Sequence, residues 1–179
     1  MNKVLVIHPK DKTTDFLKPI YSKIKNPTII TEGTSKEQII EQIKNHDRVI
    51  MLGHGSPSGL FSVGRFPRHY VIDKDIVPYL KNKENIFIWC HADQFVNEHG
   101  LKGFHSGMFI SEVSESIYCK VPSDQKTVDV SNSLFAAVVS ENINESLDKL
   151  YSNTKFKYGL VKEINPIVEY NRSRLCYYN

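Results

Sequence analysis

An α/β fold, a mostly parallel sheet layered between helices as a three-layer sandwich, is predicted by three features of this chain. Short, continuous apolar runs of strand length recur, at Val4–Ile7, Val49–Gly53 and Ile86–Trp89. Runs of this kind are buried on both faces, as strands of parallel sheets are. Between them lie segments with helical apolar spacing, such as Phe16, Leu17, Ile20 and Ile24, or Ile39, Ile40 and Ile43. That alternation builds βαβ units. Two of the apolar runs also end on reactive residues, His54 and Cys90. Ligands and catalytic groups of open α/β sheets gather beyond the carboxyl ends of the strands.

Taken in order, Lys3–His8 reads as the first strand and Phe16–Lys25 as a helix, with Pro19 in its first turn, where a missing N–H costs little. Thr28–Thr31 is a short β-branched strand. Thr34 and Glu37 have the spacing of a capping box, and Val49–Gly53 is the third strand. Gly55–Arg68 carries three glycines and two prolines among apolar residues, the composition of a loop with a short hairpin. Asp73–Asn82 reads as a helix, Asn85–Trp89 as the fourth strand, His91–Ser106 as a polar loop with one helical turn, and Gly107–Val113 as the fifth strand. Ser131–Ser152 is the longest helical stretch, a sixth strand falls between Tyr158 and Tyr170, and the tail Tyr177-Tyr178 docks on the core. Short right-handed crossovers favour the strand order 2-1-3-4-5, with the sixth strand beyond.

The 179 residues suit a single domain over 1–179, with one sizeable core. A net charge of +3, with both signs interspersed, makes no basic stripe and argues against a nucleic-acid partner. No apolar stretch is long enough to span a membrane, and the N-terminal run is too short for a signal-peptide core. The three cysteines, Cys90, Cys119 and Cys176, are odd in number and widely spaced, which suggests free thiols in a reducing compartment and a cytoplasmic location.

If the third and fourth strands are neighbours, His54 and Cys90 face one cleft. A thiol must lose its proton to attack a carbonyl, and an adjacent imidazole can take it. The resulting oxyanion needs backbone N–H donors, for which Gly55 and Cys90 are the candidates. A glycine after the histidine also allows close backbone approach.

A hydrophobic block ending in His-Gly, followed by a second ending in Cys, is the pattern of the caspase-like cysteine peptidases, the group that includes caspases, legumains, gingipains, clostripains and separases. Val49–Gly53 with His54-Gly55, and Ile86–Trp89 with Cys90, resemble it over roughly residues 3–115. The resemblance implies a caspase-like fold, Cys90 as nucleophile, His54 as base or acid, Gly55 as an oxyanion donor, a peptide or protein substrate and no cofactor. It also suggests that Glu112 and Glu115 receive a basic substrate side chain, although both also read as solvated loop residues. The chain departs from the family pattern at Trp89, where a small residue is usual, and at His91.

Other residues carry second-rank readings. Asp93 orients an imidazole or caps the turn after Cys90. Ser56 shapes the cleft wall or holds an anion with its loop, and His8 contacts a ligand at the same end of the sheet. Arg65, Arg68 and His69 belong to a flap or a solvated loop. The histidines His91, His99 and His105 beside Cys90 raise a metal-dependent alternative using His54, Cys90 and His91, although their spacing matches no finger or HExxH pattern. A catalytically inactive binding or regulatory domain of the same fold is the remaining alternative.

Overall fold

The computed structural model of the chain describes residues 3–179. From its start, β1 (Val4–Ile7) leads through a 3-10 turn (Lys12–Leu17) to α1 (Pro19–Ser22), β2 (Thr28–Ile30), α2 (Lys36–Lys44) and β3 (Arg48–Leu52). A small antiparallel sheet follows, made of β4 (Gly55–Ser56), β5 (Gly59–Phe61) and β6 (Tyr70–Ile72). Next come α3 (Val77–Leu80), β7 (Glu84–Ile88), α4 (Ala92–His99), β8 (Gly103–Ser106) and α5 (Val113–Tyr118). The last third holds α6 (Gln125–Asn142), α7 (Leu147–Tyr158), α8 (Pro166–Ser173) and β9 (Leu175–Tyr178).

The main sheet has six strands in the order β2-β1-β3-β7-β8-β9. The first five run parallel and β9 runs antiparallel to β8. Alternate residues of each strand enter opposite layers, as the period of two requires. Leu5, Ile7, Val49, Met51, Phe87 and Trp89 pack against α2, α3 and α4. Val6, Ile50, Leu52, Ile86 and Ile88 pack against α1, α6 and α7. Both faces are therefore covered, which is why the central strands are apolar throughout. Arg48 opens β3 at 6 % exposure. Its guanidinium pairs with Glu84 at 2.8 Å, at the start of β7, and donates to the carbonyls of Ile143 and Glu145. A buried arginine is tolerable only when its donors are met, so these bonds pin β3 and β7 in one register, Leu52 beside Ile88.

Several elements depart from the expectation. The fifth place in the sheet is filled by Gly103–Ser106, not Gly107–Val113, and the sixth by Leu175–Tyr178, not a strand between residues 158 and 170, where α8 lies. β8 has a single large apolar residue, Phe104; His105 and Ser106 are buried and polar. Gly103 sits at φ +139°, and a Cβ there would come within 2.2 Å of the Asn85 carbonyl oxygen. Residues 107–112 form a loop held by side chains. Asn171 donates to the Ile110 carbonyl at 2.8 Å and accepts from its N–H at 2.7 Å, and Asn132 donates to the Ser111 carbonyl. The capping box lies one residue later than expected, at Ser35 and Gln38. The Phe16–Lys25 helix is instead a 3-10 turn followed by α1 with Pro19 at its first position. The Asp73–Asn82 helix shrinks to the single turn α3, which contains Pro78. The long stretch Ser131–Ser152 divides between α6 and α7, and the loop after Cys90 contains the eight-residue α4. The tail does dock on the core, as β9, with Tyr177 stacked on Tyr151.

Candidate functional site

β3 and β7 are adjacent and parallel, and both end at the same level. His54 and Cys90 each stand two residues beyond the paired Leu52 and Ile88. By the alternation of a strand Cys90 projects to the layer of Ile88, whereas His54 follows Gly53, whose φ of +142° breaks the alternation. Cys90 packs against that layer. Immediately after it, His91 takes a left-handed conformation, φ 67°, as the N-cap of α4. Such backbone is uncommon outside glycine; here it turns the chain sharply from strand to helix and leaves Cys90 at the tip.

Both residues line one cleft of about 640 Å³, together with Asp11, Gly55, His91, Glu112 and Glu115. A narrower recess of about 20 Å³ continues inward between His54, Cys90 and Phe109, room for one water. The larger cleft is lined by three carboxylates and two imidazoles, with no lysine or arginine among its lining residues.

The imidazole side is built by the loop after β1. Asp11 caps the 3-10 turn, accepting from the Thr13 N–H and the Thr13 hydroxyl, each at 3.0 Å. Thr13 Oγ1 lies 2.6 Å from His54 Nε2, and Asp11 Oδ2 lies 3.8 Å from it. A hydroxyl has one proton to give. With that proton directed to Asp11, Oγ1 accepts from His54 Nε2–H, which assigns the tautomer from the network and leaves Nδ1 with its lone pair free. The Thr13 N–H and then the Thr13 hydroxyl hold the Asp11 carboxyl below its usual range, despite partial desolvation. The turn itself is anchored by His8, whose ring nitrogens meet Thr14 Oγ1 at 3.1 Å and the Tyr21 hydroxyl at 3.2 Å. Burial lowers the His8 pKa to about 4, so this ring is a neutral brace. It contacts the core, not the cleft expected for it.

The thiol side is built by the loop after β8. Cys90 Sγ donates to the Phe109 carbonyl at 3.4 Å and lies 3.8 Å from Glu115 Oε1. Glu115 Oε2 accepts from the Ser111 N–H, the Ser111 hydroxyl and the Glu112 N–H. Burial first, then the Glu115 charge, pushes the Cys90 thiol up to about 12. Among the described residues, no hydrogen bond joins Sγ to the His54 ring; each is held by its own loop.

Trp89, the unexpected large residue before the cysteine, faces the opposite layer at 2 % exposure. Its indole N–H donates to the Ser56 carbonyl at 3.2 Å. A Cβ on Gly55 would stand 2.2 Å from the indole Cδ1, so glycine after His54 is required by this packing, and not first by approach to a substrate. The indole thus clasps β4 to the end of β7.

The other candidates separate. Ser56 is committed to the hairpin, its hydroxyl on Tyr70 and on the Ser58 N–H. Asp93 sits in the first turn of α4 beside Gly107 with Oδ1 buried and unpartnered, and it makes no capping bond. Asp11, not Asp93, stands beside His54, so of the two readings of Asp93 the orienting one does not describe it. Arg65 donates to the Lys10 carbonyl and Arg68 to the Val71 carbonyl, while His69 packs on Phe61, so all three brace the loop. His91 bonds Gln94, His99 packs on Phe95, and His105 is buried against Gly103 and Tyr178. Among the described residues no group of three or more His, Cys, Asp or Glu side chains gathers to hold a metal, so His54, Cys90 and His91 do not form the alternative centre. Asp11 and Thr13 went unread in the sequence. Their signal was position, just past the end of a central strand at the cleft end of the sheet.

No helix of the described residues is long and apolar enough to cross a membrane. No family model matches the chain, and no curated protein matches it.

Proposed function

We propose that this chain is a caspase-like cysteine hydrolase domain that cleaves peptide bonds with Cys90 as nucleophile and His54 as base and then acid. The observation that carries the reading is the lining of one cleft by both residues, delivered by adjacent parallel strands. Sγ, rotated from Phe109 toward His54, gives its proton to Nδ1 and attacks the carbonyl carbon. The oxyanion is met by the backbone N–H of Gly55 and of Cys90. Nδ1–H then protonates the leaving amine, and water releases the acyl group from Sγ. Asp11, through Thr13, holds the ring in the tautomer this sequence of steps needs. The carboxylates of Asp11, Glu112 and Glu115, with no lysine or arginine in the lining, favour a substrate with a basic side chain next to the scissile bond.

A peptidyl electrophile that carries arginine next to its reactive carbon tests this. The expected outcome is a covalent adduct on Cys90 that forms faster than on Cys119 or Cys176 and is lost in His54→Ala. An adduct distributed equally over the three thiols contradicts the reading.

One observation favours a second reading, a cleft that binds basic peptides without cutting them: the thiol has a carbonyl and a carboxylate within reach of its proton, and no imidazole. Equal peptide affinity of wild type and Cys90→Ala, with no turnover by either, would establish it.

A further inference from the structure

Glu115 divides its two oxygens between different tasks. Oε2 is filled by three donors from Ser111 and Glu112, which seat it at the start of α5. Among the described residues Oε1 has one partner in reach, the Cys90 thiol at 3.8 Å. The loop that carries Phe109 is itself fixed, by Asn171 on Ile110 and Asn132 on Ser111. The single Sγ–H proton therefore has two acceptors within reach, the Phe109 carbonyl at 3.4 Å and Glu115 Oε1 at 3.8 Å, both on a braced segment.

From this geometry we infer that Glu115 is a latch on the nucleophile: Oε1 holds the Cys90 thiol protonated and turned to the β8–α5 loop until a cationic group occupies Oε1. The inference rests on the reading of Cys90 as nucleophile and adds how that nucleophile is kept silent. The titratable groups around Sγ are Glu115 and Tyr118 of α5, Cys119 at its C-cap, Glu112 before it, His91 before α4, His54 after β3 and Asp11 of the first loop. Among the lining residues only the two imidazoles can carry positive charge, so nothing in the cleft wall competes with Glu115 as lysine or arginine would. A carboxylate in hydrogen-bond reach disfavours a neighbouring thiolate, and burial strengthens that effect. An ammonium or guanidinium that enters the cleft has Oε1 as its unsaturated acceptor. Its arrival frees the thiol proton for His54 and cancels the charge that opposes the thiolate, so the ligand that fits the cleft also arms it.

The test is alkylation of the full-length protein by iodoacetamide, in which an S–C bond forms, iodide leaves and the thiol proton goes to solvent. Modification is read at each cysteine by mass spectrometry of peptides. Glu115→Gln keeps a side-chain oxygen for Ser111 and Glu112 and removes the charge. The latch predicts that Cys90 in this variant reacts about tenfold faster or more at about pH 8, with Cys119 and Cys176 little changed. An unaltered Cys90 rate in a folded Glu115→Gln protein overturns it. The wild type gives a second reading that needs no variant. Its Cys90 rate should keep rising with pH past 9, the ordinary thiol value; a plateau there, as for a free thiol, also overturns the latch. Both readouts are alkylation and not hydrolysis. Faster labelling without peptide turnover sinks the hydrolase reading and leaves the latch, while turnover with unaltered labelling does the reverse.

Discussion

The two sides of the cleft are prepared in opposite senses. On the side of β1, a hydroxyl and a carboxylate orient His54 and leave one ring nitrogen open. On the side of β8, a carbonyl and a carboxylate lie within reach of the Cys90 thiol proton, and burial and the carboxylate disfavour the anion. A carboxylate stands behind both residues. Behind an imidazole, a carboxylate acting through a hydroxyl fixes the ring's tautomer and orientation. Beside a thiol, the same charge opposes the anion that a nucleophile must become. One residue type, set on two partners, readies one half of the pair and restrains the other.

The largest expected effect breaks the clasp that joins the two sides. Trp89→Ala removes a fully packed indole and its bond to Ser56, and should lower unfolding free energy by about 3–5 kcal/mol in urea titrations. A loss under about 1 kcal/mol would mean that β4 is held in place without it.

Next in size is the brace under the imidazole side. Unfolded, His8 takes up a proton near pH 6.5; folded, it resists until about pH 4. Its contribution is complete above pH 6.5 and is lost as the pH falls toward 4, by up to about 3 kcal/mol. Denaturant midpoints measured across that interval should fall steeply in wild type and more gently in His8→Gln. Parallel slopes would assign the acid sensitivity elsewhere.

A smaller effect isolates the orientation of His54. Thr13→Val keeps shape but ends the bond to Nε2, and should reduce turnover about 10- to 100-fold. The expected change lies in kcat with KM held, because the hydroxyl touches the ring and not the substrate. A change in KM alone would make Thr13 part of the binding surface.

The same division between the two sides governs what the sequence discloses. Val4–Ile7, Val49–Leu52 and Ile86–Ile88 are buried on both faces, so their apolar runs are readable, and the strand ends that present His54 and Cys90 are readable with them. The thiol side is built from segments whose stability comes from polar contacts with distant residues. β8 is a buried strand containing His105 and Ser106, with Ser106 bonded to the Trp89 carbonyl. The loop at residues 107–112 looks like a strand in composition, yet its backbone groups are met by the Glu115 side chain and by Arg174, Asn171 and Asn132 farther along the chain, not by a neighbouring strand. β9 closes the sheet only because α6, α7 and α8 return the chain to that edge. No local periodicity encodes such pairings. Asp11 and Thr13 were hidden for another reason: a cap on a short 3-10 turn looks the same whether or not a histidine lies across from it.

The central claim, one nucleophile and one base sharing a cleft, is tested most directly by hydrolysis of arginine-containing peptides by wild type, Cys90→Ala and His54→Ala, each shown to be folded. The account predicts turnover by wild type and a loss of about 10³-fold or more in both variants. Turnover by Cys90→Ala equal to that of wild type would contradict it.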